Sequence, residues 1–176
     1  MNSVFSFNNQ TDLSMGVNVV SVSRSIKPYK RNIQTVIAGR SGTYDTTTGA
    51  YDNTTISMTC MYVGQDPPTF ARSLAVWLKD TGSLVMADEP DKTYTATAWV
   101  EVPEEYVQSL REFTIEFTCQ PLARSDAQQI QGTITTSGGT VSCTVLGTAP
   151  TPCRIIIKNA GTTTIRNLQI THAINA

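Results

Sequence analysis

The chain has 176 residues and a net charge of −1, with 15% charged and 40% hydrophobic residues. This length suits one full domain, or one domain with a small appendage, and the apolar share is enough for a core. The nearly neutral charge excludes a protein that binds nucleic acid through a large cationic surplus. Threonine, a β-branched residue that favours strands, accounts for 27 residues. The composition therefore predicts a β protein whose surfaces meet other protein surfaces.

Several kinds of active site are excluded by what the sequence lacks. The one histidine, His172, has no partner nearby in sequence, so a histidine-based triad and a HExxH zinc helix are not expected. No Walker A loop or dinucleotide fingerprint occurs. No signal peptide is expected, and no apolar run reaches the roughly 18 residues of a membrane span. The chain is therefore predicted to be neither an enzyme nor a membrane protein, and to need no cofactor or metal.

Alternating apolar and polar residues predict three half-buried strands, at residues 56–62, 94–102 and 113–119. In the second of these, Trp99 falls on the polar face. A large aromatic residue there is either covered by a helix or anchors a contact between chains. Further strands are predicted at residues 17–23, 33–37 and 84–87, and the Thr-, Gly- and Asp-rich residues 44–54 are predicted to form a long hairpin loop.

One amphipathic helix is predicted after Pro67 and Pro68. Thr69 is a candidate N-cap, and Gly82 is a candidate stop signal. The predicted apolar stripe consists of Phe70, Leu74, Trp77 and Leu78. Because a single helix cannot bury such a stripe alone, we expect it to pack on a sheet.

The four cysteines form no CxxC motif, so neither a zinc ribbon nor a thioredoxin site is supported. Cys60 and Cys119 are in phase with core residues and are expected to be buried small hydrophobes. Cys143 and Cys153 flank a turn-rich segment and either pair or stay as free thiols.

A shift in composition near Pro121 predicts a boundary between residues 1–124 and residues 125–176. The second segment contains four short strand-like stretches. Four strands in under 50 residues would make a thin sandwich with little core of its own. The predicted strands are residues 133–136, 140–146, 153–158 and 162–171.

Three segments together resemble the distal tail protein family of long-tailed bacteriophages. Residues 37–44, IAGRSGTY, resemble the family's apolar strand followed by a Gly-Arg-x-Gly turn. Residues 74–94 are similar to its helix ending in Trp-Leu, short strand, acidic Pro turn and Tyr strand. Residues 113–121, FTIEFTCQP, are similar to its closing strand. The order and spacing agree over about residues 15–125.

This resemblance implies a mainly β fold: a β-sandwich with one α-helix, followed by a short, partial galectin-like or jelly-roll β segment. It implies a structural, non-catalytic role in the virion tail, after synthesis in the cytoplasm of the bacterial host. Residues 1–124 would form a homohexameric ring that joins the tail tube protein to tail tip or baseplate proteins and passes DNA through its channel. Residues 125–176 would be the beginning of such a galectin-like module, either naturally short or truncated, and would face receptor-binding components. The hairpin loop at 44–54 is either flexible or a projection into the ring lumen or toward the next tail component.

Charged clusters provide candidate subunit contacts. The basic cluster is either a solvated loop or a patch that meets DNA or an acidic surface, and the acidic turn lacks the spacing of a calcium loop. Opposite charges on two different surfaces would fix the direction of a ring. We therefore expect the basic cluster of one chain to face an acidic group of its neighbour. The candidate residues are Arg24, Lys27, Lys30 and Arg31, Asp88, Glu89 and Asp91, Trp99, and Glu101 with Glu104 and Glu105.

The alternative function is carbohydrate binding. A Thr- and Asn-rich β-sandwich with an exposed aromatic residue can stack on a sugar, and Trp99 is the clear candidate for that contact. A ring of about six copies would favour the tail hub, whereas a monomer that binds glycans would favour the lectin.

Overall fold

The structure is a computed structural model that describes residues 2–62, 64–101, 112–126, 129–144, 147–149 and 154–171. The chain divides into two compact units, Met1–Gln131 and Gly132–Ala176. The first unit contains nine described strands, a short 3-10 helix at Leu13–Met15 and one described α-helix, α1, at Pro67–Trp77. The strands are β1 Phe5–Phe7, β2 Gln10–Thr11, β3 Val17–Arg24, β4 Lys30–Val36, β5 Thr43–Tyr51, β6 Thr54–Tyr62, β7 Thr81–Met86, β8 Tyr94–Glu101 and β9 Glu112–Cys119.

Seven strands form one antiparallel sheet in the order β2-β1-β7-β8-β9-β6-β3, and β4 and β5 form a separate ribbon. The large sheet is strongly curled. In a flat sheet β1 and β9, which are three strand spacings apart, would be separated by about 14 Å. Yet the rings of Phe5 on β1 and Phe117 on β9 lie only 5.6 Å apart. The sheet therefore wraps its apolar face around a core, and the mainly β class with one α-helix is confirmed among the described residues.

The helix packs its predicted stripe into this core. Phe70, Leu74, Trp77 and Leu78 are all buried. Trp77 stacks on Phe5 at 5.8 Å, and its indole Nε1–H donates to the carbonyl oxygen of Phe7 at 3.0 Å. The helix therefore holds β1 by both ring contact and a hydrogen bond.

The predicted helix ends need correction. Asp66 is the N-cap, because its carboxylate accepts from the backbone N–H of Thr69 at 3.2 Å. Pro67 and Pro68 then occupy the first turn, where a missing N–H costs nothing. Gly82 is not a stop signal: the helix ends at Trp77, and Gly82 lies within β7. A Cβ at Gly82 would come within 2.2 Å of the Asn8 side chain, so a close approach explains this glycine.

The six strands predicted for the first unit all form, with ends shifted by a few residues. The prediction for residues 44–54 was wrong, because most of this stretch is strand β5, paired along β4. Threonine-rich sequence suits either a loop or a strand, and only the pairing with β4 selects the strand. The prediction that Cys60 and Cys119 point into the core is also confirmed, since both thiols are buried and free.

In the described part of the second unit, the predicted strands do not form. Its described residues, 132–144, 147–149 and 154–171, contain no strand. Alternating apolar residues there remain exposed, as in Ile134, Val141, Ile156 and Ile170. A segment this short buries too little apolar surface to offset the entropy of ordering its backbone. The boundary after residue 124 and the galectin-like nature of the segment remain predictions; Cys143 is exposed, and Cys153 lies outside the described residues.

No helix in the described part of the chain has the length and apolarity that crossing a bilayer requires.

Candidate functional site

The Arg24 side chain forms two ion pairs within its own chain. Its guanidinium lies 2.5 Å from Asp88 Oδ2 and 3.2 Å from Glu89 Oε2 of the same chain. Arg24 ends the edge strand β3, whereas both acids follow β7, with three strands between them in the sheet order. These ion pairs therefore join two distant parts of the curled sheet. The structure thus pairs three of the predicted interface residues with one another inside one subunit.

Tyr94 completes this ion-pair cluster. Its hydroxyl donates to Glu89 Oε2 at 2.9 Å. Burial raises the pKa of Tyr94 to about 12, and the hydrogen bond to Glu89 and the charge of Glu89 act in the same direction. The cluster therefore favours the neutral phenol, which acts as a hydrogen-bond donor to the carboxylate.

The Tyr94→Phe variant is expected to lose less stability than the wild type between pH 10 and pH 12. Because the pKa of Tyr94 is raised in the folded protein, the phenolate forms more readily in the unfolded chain, so stability falls as pH rises from 10 towards 12. Urea unfolding at pH 8, 10 and 11.5 measures this. The buried thiols of Cys60 and Cys119 titrate in both proteins, so the comparison isolates Tyr94. Parallel pH profiles would contradict the assigned role.

Two more predicted interface residues also have partners in their own chain. Arg31 Nε lies 2.8 Å from Asp52 Oδ1, and Asp91 pairs with Lys92 at 2.5 Å. The hydrogen bond from Lys92 holds the pKa of Asp91 below its ordinary value. Lys27 and Lys30, in contrast, form no ion pair with any residue that the structure describes. The side chain of Glu101 and the residues Glu104, Glu105 and His172 lie outside the described residues.

The β4–β5 ribbon exposes apolar side chains along one face. Ile33 pairs with Thr46, and Thr35 pairs with Tyr44, so these four side chains share a face, here called the ribbon face. Ile33 is 56% exposed and Tyr44 is 54% exposed. Arg40, in the turn at the tip, forms no ion pair among the described residues. The ribbon therefore combines exposed apolar groups with unpaired cations.

Trp99 lies on the outer face of the large sheet and is 69% exposed. It sits opposite Glu116 on β9, beside the pair formed by Thr97 and Thr118. These four residues are here called the Trp99 face. The helix does not cover Trp99, so the first of its two interpretations is wrong. Glu116 and Glu112 on the same strand are exposed and form no ion pair within the described ranges.

Sequence reasoning singled out Trp99 but missed Tyr44, Arg40 and Glu116 as surface groups. Arg40 and Tyr44 lie within residues 37–44, the segment with the Gly-Arg-x-Gly turn. Because turns run over the protein surface, this segment indicated that both residues are exposed. Glu116 appeared only as the polar half of an alternating strand. In the part of the chain that the structure describes, no three histidine, cysteine, aspartate or glutamate side chains are arranged to hold a metal ion.

The model of the phage tail protein RIFT-related domain matches residues 11–119, which is more than half of the chain and spans β2 to β9. The chain belongs to this family. This chain, from here on called the tail protein, is also similar in structure to the Dit protein of phage SPP1. That protein is described as a paradigm of the hub adsorption apparatus in phages that infect Gram-positive bacteria. The resemblance to the distal tail proteins is thereby confirmed.

The structural match to SPP1 Dit has a TM-score of 0.55 and 20% sequence identity, and it covers 71% of this chain and 52% of that one. The tail protein therefore spans about half the length of the Dit chain. Comparison with curated protein sequences finds none that matches. The family gives the tail protein a structural role in the phage tail, and the Dit match describes its fold.

Proposed function

We propose that the tail protein is the distal hub of a long phage tail. Copies form a closed ring between the last ring of the tail tube and the tip proteins, and DNA passes through its channel. The observation that carries this proposal is the fold shared with SPP1 Dit over 71% of the chain. The family match supports a structural rather than a catalytic role.

Two exposed surfaces support self-association. The ribbon face and the Trp99 face lie on different elements, and a contact between two different surfaces generates a ring when the rotation closes. A number of six copies comes from the resemblance to the distal tail proteins. The tail tube protein, the tail tip protein and a receptor-binding component are the proposed partners, and assembly takes place in the host cytoplasm.

The purified full-length chain is expected to form annular particles, alone or with the tail tube protein. Native mass spectrometry should give six times the chain mass of 19.1 kDa, and negative-stain electron microscopy should show rings. The mixture with the tail tube protein is needed because a weak ring can require the adjacent tube ring for its assembly. A chain that stays monomeric in both preparations would contradict the hub.

Carbohydrate binding remains the second candidate, and it depends on the exposed ring of Trp99. If the chain is a lectin, a monomer should bind glycans on an array and the Trp99→Ala variant should lose that signal. Ring formation without glycan binding would exclude this candidate.

A further inference from the structure

The β4–β5 ribbon lacks the packing that a two-stranded element needs. An isolated ribbon is marginally stable in water, and independent stability requires further strands or packing on another element. Every described residue of β4 is exposed, and none of the described residues of either strand belongs to the core. Ile33 and Tyr44 also expose apolar surface to water along one face of the ribbon. This ribbon therefore needs a surface that covers it.

The Trp99 face offers the matching chemistry. Trp99 is a large, exposed aromatic residue with threonines beside it. A partner can therefore cover its apolar surface without removing many charges from water. Beside it on β9, Glu112 and Glu116 are unpaired anions among the described residues, whereas Lys27, Lys30 and Arg40 at the two ends of the ribbon are unpaired cations. The dimensions also agree, since seven residues of β4 and eight of β9 each extend over about 23–27 Å.

We propose that the ribbon face of one copy packs on the Trp99 face of the next copy around the ring. Glu112 and Glu116 of that copy then lie on the same contact as Lys27 and Arg40, the unpaired cations at the two ends of the ribbon. This inference rests on the proposed ring and assigns its subunit contact. Arg24, Asp88 and Glu89 take no part, because they already pair with one another within each subunit.

Reversing charges on the two surfaces tests this contact. The ribbon variant carries Lys27→Glu and Arg40→Glu, and the face variant carries Glu112→Lys and Glu116→Lys. Each variant places like charges across the contact, so each alone is expected to need at least about tenfold more protein than the wild type to form rings. A one-to-one mixture should restore assembly, since the acidic ribbon meets the basic face and the basic ribbon meets the acidic face. The restored rings should contain equal numbers of the two variants.

The control matched to the ribbon variant carries Arg72→Glu and Lys79→Glu, which make that variant's change in charge on exposed residues of the helix region. It should assemble as the wild type does. If the ribbon and face variants also assemble normally, or if they fail both alone and mixed, the proposed contact is wrong although the hub ring stands. A wild-type chain that forms no ring with or without tube protein would instead overturn the hub function and this contact together.

A cross-link provides a second measurement that does not depend on charge. Tyr44→Cys in one population and Thr97→Cys in another, both with Cys143→Ser and Cys153→Ser, should yield a disulfide-linked pair on mild oxidation. The two other cysteines are buried. Val76→Cys, on the exposed side of α1, replaces Tyr44→Cys in the control and should give no cross-link to Thr97→Cys. Equal cross-linking from both positions, or none from Tyr44→Cys in assembled rings, would overturn the contact.

Discussion

Replacing Phe117 by alanine is expected to lower the free energy of unfolding by about 3–5 kcal/mol. Phe117 is fully buried, and its ring contacts those of Phe5 at 5.6 Å and Phe7 at 5.4 Å. These contacts join β9 to β1 across the curled sheet, so truncation leaves a cavity where neither strand can easily move inward. Urea unfolding at pH 7 measures the loss.

Thr118→Ala is the control for this prediction. Thr118 follows Phe117 on the same strand but points outward and is exposed. Its replacement removes β-branching without opening a cavity and should cost at most about 1 kcal/mol. Equal losses for the two variants would show that the Phe117 contacts do not hold the sheet closed.

Replacing Trp77 by alanine should have an effect of similar size, about 3–5 kcal/mol. The residue is buried against Phe5 and Phe7, and its indole supplies the hydrogen-bond donor for the carbonyl oxygen of Phe7. The Trp77→Phe variant keeps most of the ring but removes the donor. We expect it to cost about 1–3 kcal/mol, the penalty for a buried acceptor without a partner.

Fluorescence gives an independent measurement on the same variants. The chain has two tryptophans, and Trp77 is buried whereas Trp99 is exposed. The Trp77→Phe protein should therefore emit with the red-shifted maximum of a solvated indole. The exposed neighbour Val76 supplies the control, because Val76→Ala should leave stability within about 0.5 kcal/mol of the wild type. A Trp77→Ala variant as stable as this control would contradict the helix packing.

The pairing of Arg24 changes the interpretation of the charges in this chain. Sequence reasoning placed a basic group and an acidic group on facing surfaces of neighbouring subunits, and in the structure Arg24 of the basic group pairs with Asp88 and Glu89 of its own chain. The curl of the sheet brings Arg24 to Asp88 and Glu89, which are 64 and 65 residues away in sequence. Charges left without partners after folding are therefore the better candidates for contacts between copies, and they include residues that the sequence did not single out, such as Arg40 and Glu116.

The sequence alone determined the strands at 56–62 and 113–119, the apolar stripe of the helix and the outward position of Trp99. It also determined the family, through its ordered motifs. Periodicity expresses which side of an element faces the core, and that information is local to the element. Tertiary structure alone decided that residues 44–54 largely form a strand and that large apolar residues in the described part of the second unit, such as Ile134 and Ile156, stay exposed. Each of these outcomes depends on which distant segment supplies a hydrogen-bonding or packing partner, and no local pattern specifies that partner.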